Sequence, residues 1–487
     1  MSAFPVLTVM TFLPLVGALV ILLFGNARLP RWIALATTLA TVAVSTPLYR
    51  HFDKSSDVPQ FVESVQWIPT WNIFYGMGVD GISLPFISLS TVLSVLCVGA
   101  SWTAIQTRVR EFYASLLLAE TAMVGLFACT NLFLFYVFWE LMLVPMFLLI
   151  GVWGGRARVY AAVKFLLFTL AGSVLMLVGI IAINHSCGTL EFGALGENNL
   201  EPNVQVWLFC AFLAAFAVKV PMFPVHTWLP DAHTEAPTAG SVILAGILLK
   251  MGAYGFLRIS LPLFPDAVRL FVIPMLVVSA IAVVYGAYVT LAQTDVKRLI
   301  AYSSVSHMGF VTLGIFTLNH NGVEGAILQM VNHGIISAAL FLCVGMIYER
   351  SHTLEIRDYG GVAKSAPVYS SFLALFCLAA AGFPGLNSFV GEFLIIGASF
   401  KTSAWFGGLA ILGVVLGTTY MVWLYHRVVM GELHPGLAAL KLELNAREVA
   451  VLAPLALLAV CLGLYPEGVL SYLHEPVRQL LAGGVSP

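Results

Sequence analysis

The chain has 487 residues, 60% of them hydrophobic and only 10% charged, with a formal net charge of −1. A soluble protein carries about 25% charged residues, so the composition excludes an ordinary soluble domain, and the near-neutral balance leaves no basic field for nucleic acid. The seven cysteines, at 97, 129, 187, 210, 343, 377 and 461, stand mostly in apolar runs without paired spacing. They read as small buried hydrophobes, not as a disulfide or metal framework.

Fourteen apolar runs are long enough to span a bilayer as helices: 4–24, 32–49, 82–104, 112–130, 131–152, 159–184, 204–229, 238–260, 267–292, 298–318, 322–348, 368–400, 405–430 and 447–466. The first has no basic residue before it and reads as a spanning helix, not a cleaved leader. The fourth and fifth are separated by little more than Thr130-Asn131, which requires a tight turn. The tail after Pro466 is too short and too polar to span again. The expected fold is an all-α polytopic membrane protein of about fourteen transmembrane helices.

Basic residues set the orientation. If the odd-numbered connections face the cytoplasm, that side holds Arg28, Arg31, Arg108, Arg110, Arg156, Arg158, Lys297, Arg298, Arg350, Arg357, Lys364, Arg427, Lys441 and Arg447. The other side holds Arg50, Lys54, Arg258, Arg269, Lys401 and Arg478. Fourteen against six predicts both termini on the outer side. Lys164, Lys219 and Lys250 are left within spans. Lys164 is close enough to a helix end to snorkel. Lys250, thirteen residues into its run, is not.

Two spans are broken. The seventh runs apolar from Val204 to Val218, then meets Lys219, Pro221 and Pro224. Proline removes a backbone donor, and freed carbonyls at membrane depth survive only where protein or water covers them. A lysine there costs roughly 2.5–3.5 kcal/mol on insertion scales. The twelfth breaks at Gly382-Phe383-Pro384-Gly385 and resumes through Phe389 to Phe393, with Glu392 just past the break. The breaks lie five spans apart, and an odd offset inverts the second unit relative to the first. Paired interrupted helices point to a transport site. The predicted organisation is N-terminal helices 1–111, a five-helix repeat 112–262, an inverted five-helix repeat 263–431, and a last helix with a short tail, 432–487.

The ionisable residues near mid-depth are Glu120, Glu140, Lys219, Lys250, His307, His333 and Glu392, on seven different runs. Groups whose proton affinity burial and neighbours can move, set at one depth, are what a proton path needs. Singly they have blander readings: an intramembrane histidine can simply hold two helices together, and a buried Glu–Lys pair can be structural. Glu120 could be satisfied by Thr121 and matters least. Together they outweigh those readings. A second tier, His226, Asp231 and His233, clusters with Glu235 beside Pro230 and Pro237. Its spacing is no ordinary zinc pattern, so it reads as a proton-uptake or packing feature, and no metal site is expected. Nor does any phosphate-cradling loop follow a strand.

Several stretches resemble the antiporter-like subunits of respiratory complex I, NADH:quinone oxidoreductase. They are Phe138 to Pro145 (FWELMLVP), Val225 to Ser241 (VHTWLPDAHTEAPTAGS), Leu248 to Gly252 (LLKMG), Ala301 to Gly309 (AYSSVSHMG) and Phe389 to Phe393 (FVGEF). The likeness extends over about residues 1–470 and is strongest to the subunit M branch, the counterpart of mitochondrial subunit 4; Glu392, where paralogues carry lysine, favours that branch. It implies a proton-pumping module of the membrane arm, in which Glu140 pairs with Lys219 and Lys250, His307, His333 and Glu392 relay the proton. It also implies paralogous neighbours on either side in a bacterial cytoplasmic membrane, and no cofactor in this chain, with NADH, FMN, iron–sulfur clusters and quinone held by partner subunits. The alternatives are a subunit of an Mrp-type cation/proton antiporter or of an energy-converting hydrogenase, which share the fold and the Glu–Lys pair, and a passive spacer in the membrane arm.

Overall fold

The structure is a computed structural model that describes residues 4–24, 29–56, 58–196 and 200–483; Arg28 of the orientation count lies outside them. In chain order the main elements are α1 (Val6–Phe24), α2 (Leu29–Arg50), the hairpin β1 (Gln60–Ile68) and β2 (Ile73–Val79), α3 (Leu84–Ala104), α4 (Val109–Ala128), α5 (Leu132–Trp153), α6 (Arg158–Cys187), α7 (Pro202–Lys219) and α8 (Trp228–Glu235). There follow α9 (Thr238–Leu263), α10 (Pro265–Leu291), α11 (Val296–Phe316), α12 (His320–Ser351), α13 (Pro367–Ala380), α14 (Asn387–Thr402), α15 (Ala404–Val429), α16 (Ala446–Leu464) and α17 (Glu467–Ala482).

Among the described residues thirteen helices are long and apolar enough to cross a membrane. The span missing from those thirteen is the broken twelfth, made of α13 and α14. The seventh span breaks after α7 and continues into α8. The tight turn after α4 is closed by Asn131, whose side chain accepts from the Phe133 and Leu134 amides at 2.8 and 3.2 Å, satisfying two of the orphan donors of a helix start. The connection 50–80 holds the antiparallel β1–β2 hairpin. The tail forms the amphipathic α17, with Leu473, Pro476, Val477 and Leu481 buried.

Burial grades from rim to centre. Less than half of the most apolar stretch is buried in α1, α2, α6 and α16, whereas α9 and α11 are almost wholly buried and α12 is wholly so. In lipid, helix association rests on close packing by small residues and on interhelical hydrogen bonds, which average about 0.6 kcal/mol. The α10–α11 contact uses both. A methyl on Gly286 would meet the Ser306 amide at 2.8 Å, and one on Gly309 the Val283 amide at 2.8 Å. Ser306 Oγ donates to the Val283 carbonyl at 2.8 Å, and Ser279 Oγ to Thr312 Oγ1 at 2.7 Å. This contact fixes the height of His307, the neighbour of Ser306.

Candidate functional site: a buried row of ionisable side chains

Both broken spans leave carbonyls without a helical partner, and side chains or loop amides cover them. The Trp228 indole donates to the Val218 carbonyl at 2.9 Å, and the Met222 amide to that of Ala217 at 2.8 Å. In the second break Thr418 Oγ1 donates to the Ala381 carbonyl at 3.1 Å, and Asn332 Nδ2 holds the start of α14 by donating to the Asn387 carbonyl at 2.7 Å. Each break is thus a covered, fixed bend. The first puts Lys219 at a helix end, and the second puts Glu392 in the second turn of α14.

Lys219 is fully buried, and its Nζ has no hydrogen-bond partner among the described residues. It lies 4.8 Å from the centroid of the Trp139 ring, a cation–π contact worth up to about 2 kcal/mol when desolvated. Glu140 is only half-buried, and its Oε1 is likewise without a partner. The direct Glu140–Lys219 pair implied by the resemblance is not formed here. Glu140 is nonetheless the carboxylate whose field acts on Lys219. Gly252 brings α9 onto the end of α7: a methyl there would meet Val220 Cγ2 at 2.7 Å, the Phe216 carbonyl at 2.9 Å and Lys219 Cβ at 3.1 Å.

Lys250 sits on α9 between two π-helical segments, Leu244–Leu248 and Phe256–Ser260. Such bulges disturb the regular ladder and concentrate at functional positions. Its Nζ donates to the Ala245 carbonyl and lies 2.7 Å from His333 Nδ1. The His333 and His307 rings have centroids 5.6 Å apart. His307 Nδ1 lies 3.5 Å from Glu392 Oε1, and its Nε2 lies 3.5 Å from the Tyr420 hydroxyl. Gln329 Nε2 donates to Glu392 Oε1 at 3.2 Å.

Two small cavities flank His307. One, of about 10 Å³, lies between His307 and His333 and is walled by Ser303, Ser337 and Ser388. The other, also about 10 Å³, lies between His307 and Glu392 and is walled by Ser306 and Tyr420. Each is close to the least volume that holds one water, and each offers the polar partners a water requires. Lys250, His333, His307 and Glu392 are therefore joined by contacts or single-water gaps.

The remaining candidates are placed differently. Glu120 is fully buried, and neither its carboxylate nor the Thr121 hydroxyl has a hydrogen-bond partner among the described residues. Consecutive helical positions point to different faces, so Thr121 does not satisfy it. The residues around Pro230 do not converge. Asp231 pairs with Lys164 at 2.7 Å and Arg298 at 3.5 Å, which ties Lys164 to a partner within the protein. Glu235 accepts from the Ala157 amide at 2.9 Å. His226 lies among Phe223, Tyr285 and Tyr302, with centroids 5.4–6.3 Å away. His233 is fully buried and stacks on Phe341 at 4.4 Å, and neither ring nitrogen has a partner among the described residues. Lys297, counted from the sequence as a connection charge, is buried and donates from Nζ to the Ala236 carbonyl at 2.9 Å. His233 lies within the field of both Lys297 and Lys250.

Residues 129–417 match the family described as NADH:quinone oxidoreductase/Mrp antiporter, TM. The chain is 46% identical to NADH-quinone oxidoreductase subunit M of Rhodobacter capsulatus, over 98% of this chain and 96% of that protein. It is 45% identical to NADH-ubiquinone oxidoreductase chain 4 of Arabidopsis thaliana, over 97% and 96%. Its structure superposes on a chain of respiratory complex I from Thermus thermophilus, solved with bound NADH, with a TM-score of 0.91 and 30% identity over 98% of this chain and 99% of that one.

Proposed function

The chain belongs to the NADH:quinone oxidoreductase/Mrp antiporter family and is an antiporter-like, proton-translocating membrane subunit of NADH:quinone oxidoreductase; from that premise we propose that its proton path is the row Lys219, Lys250, His333, His307, Glu392, switched by Glu140. The observation that carries this reading is the continuity from Lys250 to Glu392, with one-water cavities on both sides of His307. Lysine holds the proton while a carboxylate field favours its charged form, and histidine passes it because its two nitrogens can accept on one side and donate on the other. Glu392, held by Gln329, is the last acceptor before the outer face. Lys297 and His233 form the uptake limb that leads to Lys250.

Glu140 is the switch because it is the member of the set that reaches the flank of the chain. At an effective dielectric near 20, opposite charges at 4 Å attract by about 4 kcal/mol and at 8 Å by about 2. Moving Glu140 between such distances changes the proton equilibrium of Lys219 by roughly 30-fold, since about 1.4 kcal/mol is tenfold. Partners in the membrane arm supply that movement, with paralogous antiporter-like neighbours on either side, and the redox groups (NADH, FMN, iron–sulfur clusters and quinone) sit in other subunits. Both termini lie on the outer side, and 112–262 and 263–431 act as inverted units, each with one broken helix. The test is Lys219→Ala and Glu140→Gln in the assembled complex. Both are expected to lower proton pumping and quinone reduction together; wild-type rates for both reactions in both variants would refute the switch.

A further inference from the structure

On the face that carries the β hairpin, the first turn of α12 meets α17. Lys54 fixes α17 to that surface: its Nζ donates to Ser471 Oγ at 2.8 Å and lies 4.1 Å from the centroid of the Tyr472 ring. Gly81 packs directly beneath the backbone at Tyr472, closer than any side chain would allow. Where the two helices cross, side chains from both converge. His320 and Glu324 lie one turn apart on α12, with His320 Nε2 3.0 Å from Glu324 Oε1. His474 of α17 puts its Nδ1 2.5 Å from the same oxygen. A donor atom from each of the three lies within 4.8 Å of those of the other two.

Three features distinguish this cluster from a chance hydrogen-bonded contact. Two imidazoles and one carboxylate, converging on one point from two helices, are the donor set of an open zinc centre with its fourth position left to water. The second His474 nitrogen, Nε2, lies 3.3 Å from Glu467 Oε1. An outer carboxylate on the far nitrogen is how a metal-bound imidazole has its tautomer and orientation fixed. Finally, Glu324 is buried while the two histidines are roughly half exposed. A buried carboxylate requires a cationic or hydrogen-bonding partner, and the histidines leave an aqueous route by which an ion reaches it. Imidazole donors favour zinc, copper or nickel over magnesium or calcium.

We propose that His320, Glu324 and His474 bind a divalent transition-metal ion of the zinc class, with Glu467 orienting His474 and water completing the coordination. The ion bolts α17 to the start of α12, the helix that also carries His333. No member of the proton row is a ligand, so the site stands or falls independently of that path.

The experiment uses the purified, assembled oxidoreductase, stripped with chelator and titrated with zinc chloride against a chromophoric competitor. The wild-type complex is expected to bind one more zinc ion than His320→Ala and His474→Ala, and Glu467→Gln to bind that ion about 10–100-fold more weakly. Retention of the chain in the purified complex, followed by gel electrophoresis, checks that each variant is assembled. His474→Cys, loaded with cobalt(II), covers the case in which the alanine variants fail to assemble, because a thiolate ligand is expected to add a charge-transfer band. Equal zinc binding by wild type and both alanine variants, or no thiolate band in the assembled cysteine variant, would reduce the cluster to a histidine–carboxylate clamp and overturn the site.

Discussion

His307 stands in the middle of the row from Lys250 to Glu392. It faces Glu392 through Nδ1 and the Tyr420 hydroxyl through Nε2, and a one-water cavity lies on either side of it. Glu392 is held in turn by Gln329. Glu392→Gln keeps that shape and its hydrogen bonding but removes the proton site. A positioned proton-transfer group is worth roughly 10²–10⁴-fold in an enzymatic step. Proton pumping by the Glu392→Gln complex is therefore expected to fall by at least about tenfold, while assembly, followed by retention of the chain in the purified complex, is kept. Pumping within twofold of wild type would remove Glu392 from the path. Much of this row is legible from the sequence, because a charge or histidine deep in an apolar run stands out against its neighbours. Gln329 and Tyr420 are not, since uncharged polar residues in spans are common. Lys297 is missed because position along a run locates a helix start but not how deeply that start is covered by other helices.

At the level of elements, the two breaks act as positioning devices. Gly382 has φ of +70° and lies directly against Glu392 Oε2, so a side chain there would be strained by the backbone and would collide with the carboxylate. Left-handed backbone costs an L-residue roughly 1–2 kcal/mol. Gly382→Ala is expected to lower the thermal stability of the chain by at least that much and to displace Glu392, seen as pumping lost out of proportion to stability. An alanine variant with unchanged melting temperature and pumping would contradict this role. The breaks are visible in the sequence because proline and glycine interrupt otherwise apolar helices. The π segments around Lys250 are not, because Leu-Ala-Gly-Ile-Leu is compatible with ordinary helix and the extra residue per turn is imposed by packing. The hairpin at 60–79 is hidden for another reason: most of β1 faces outward, so its sequence lacks a clear alternation of buried and exposed positions. The His320–Glu324–His474 cluster joins residues about 150 positions apart, across a contact that helix periodicity does not specify.

Across the whole molecule, the helices that carry Lys250, His307 and His333 are the most completely enclosed, and the rim helices expose apolar side chains such as Leu23 and Leu464. Buried ionisable groups at the centre and apolar groups at the rim suit a protein that conducts a charged species while facing lipid and other membrane subunits. Glu140 is the exception, only half-buried at the flank. The sequence anticipates this division through the number of spans and the two interrupted ones. It does not show that Glu140 and Lys219 stand apart, because the spacing of two helices depends on all the side chains between them.

The central claim is that protons cross this subunit through His307. The direct measurement is the rate of proton uptake by proteoliposomes containing the assembled His307→Gln complex, compared with its NADH oxidation by an artificial acceptor. Oxidation by the artificial acceptor is expected to be unchanged, with quinone-linked turnover and proton uptake both sharply reduced. Proton uptake at the wild-type rate in that complex would contradict it.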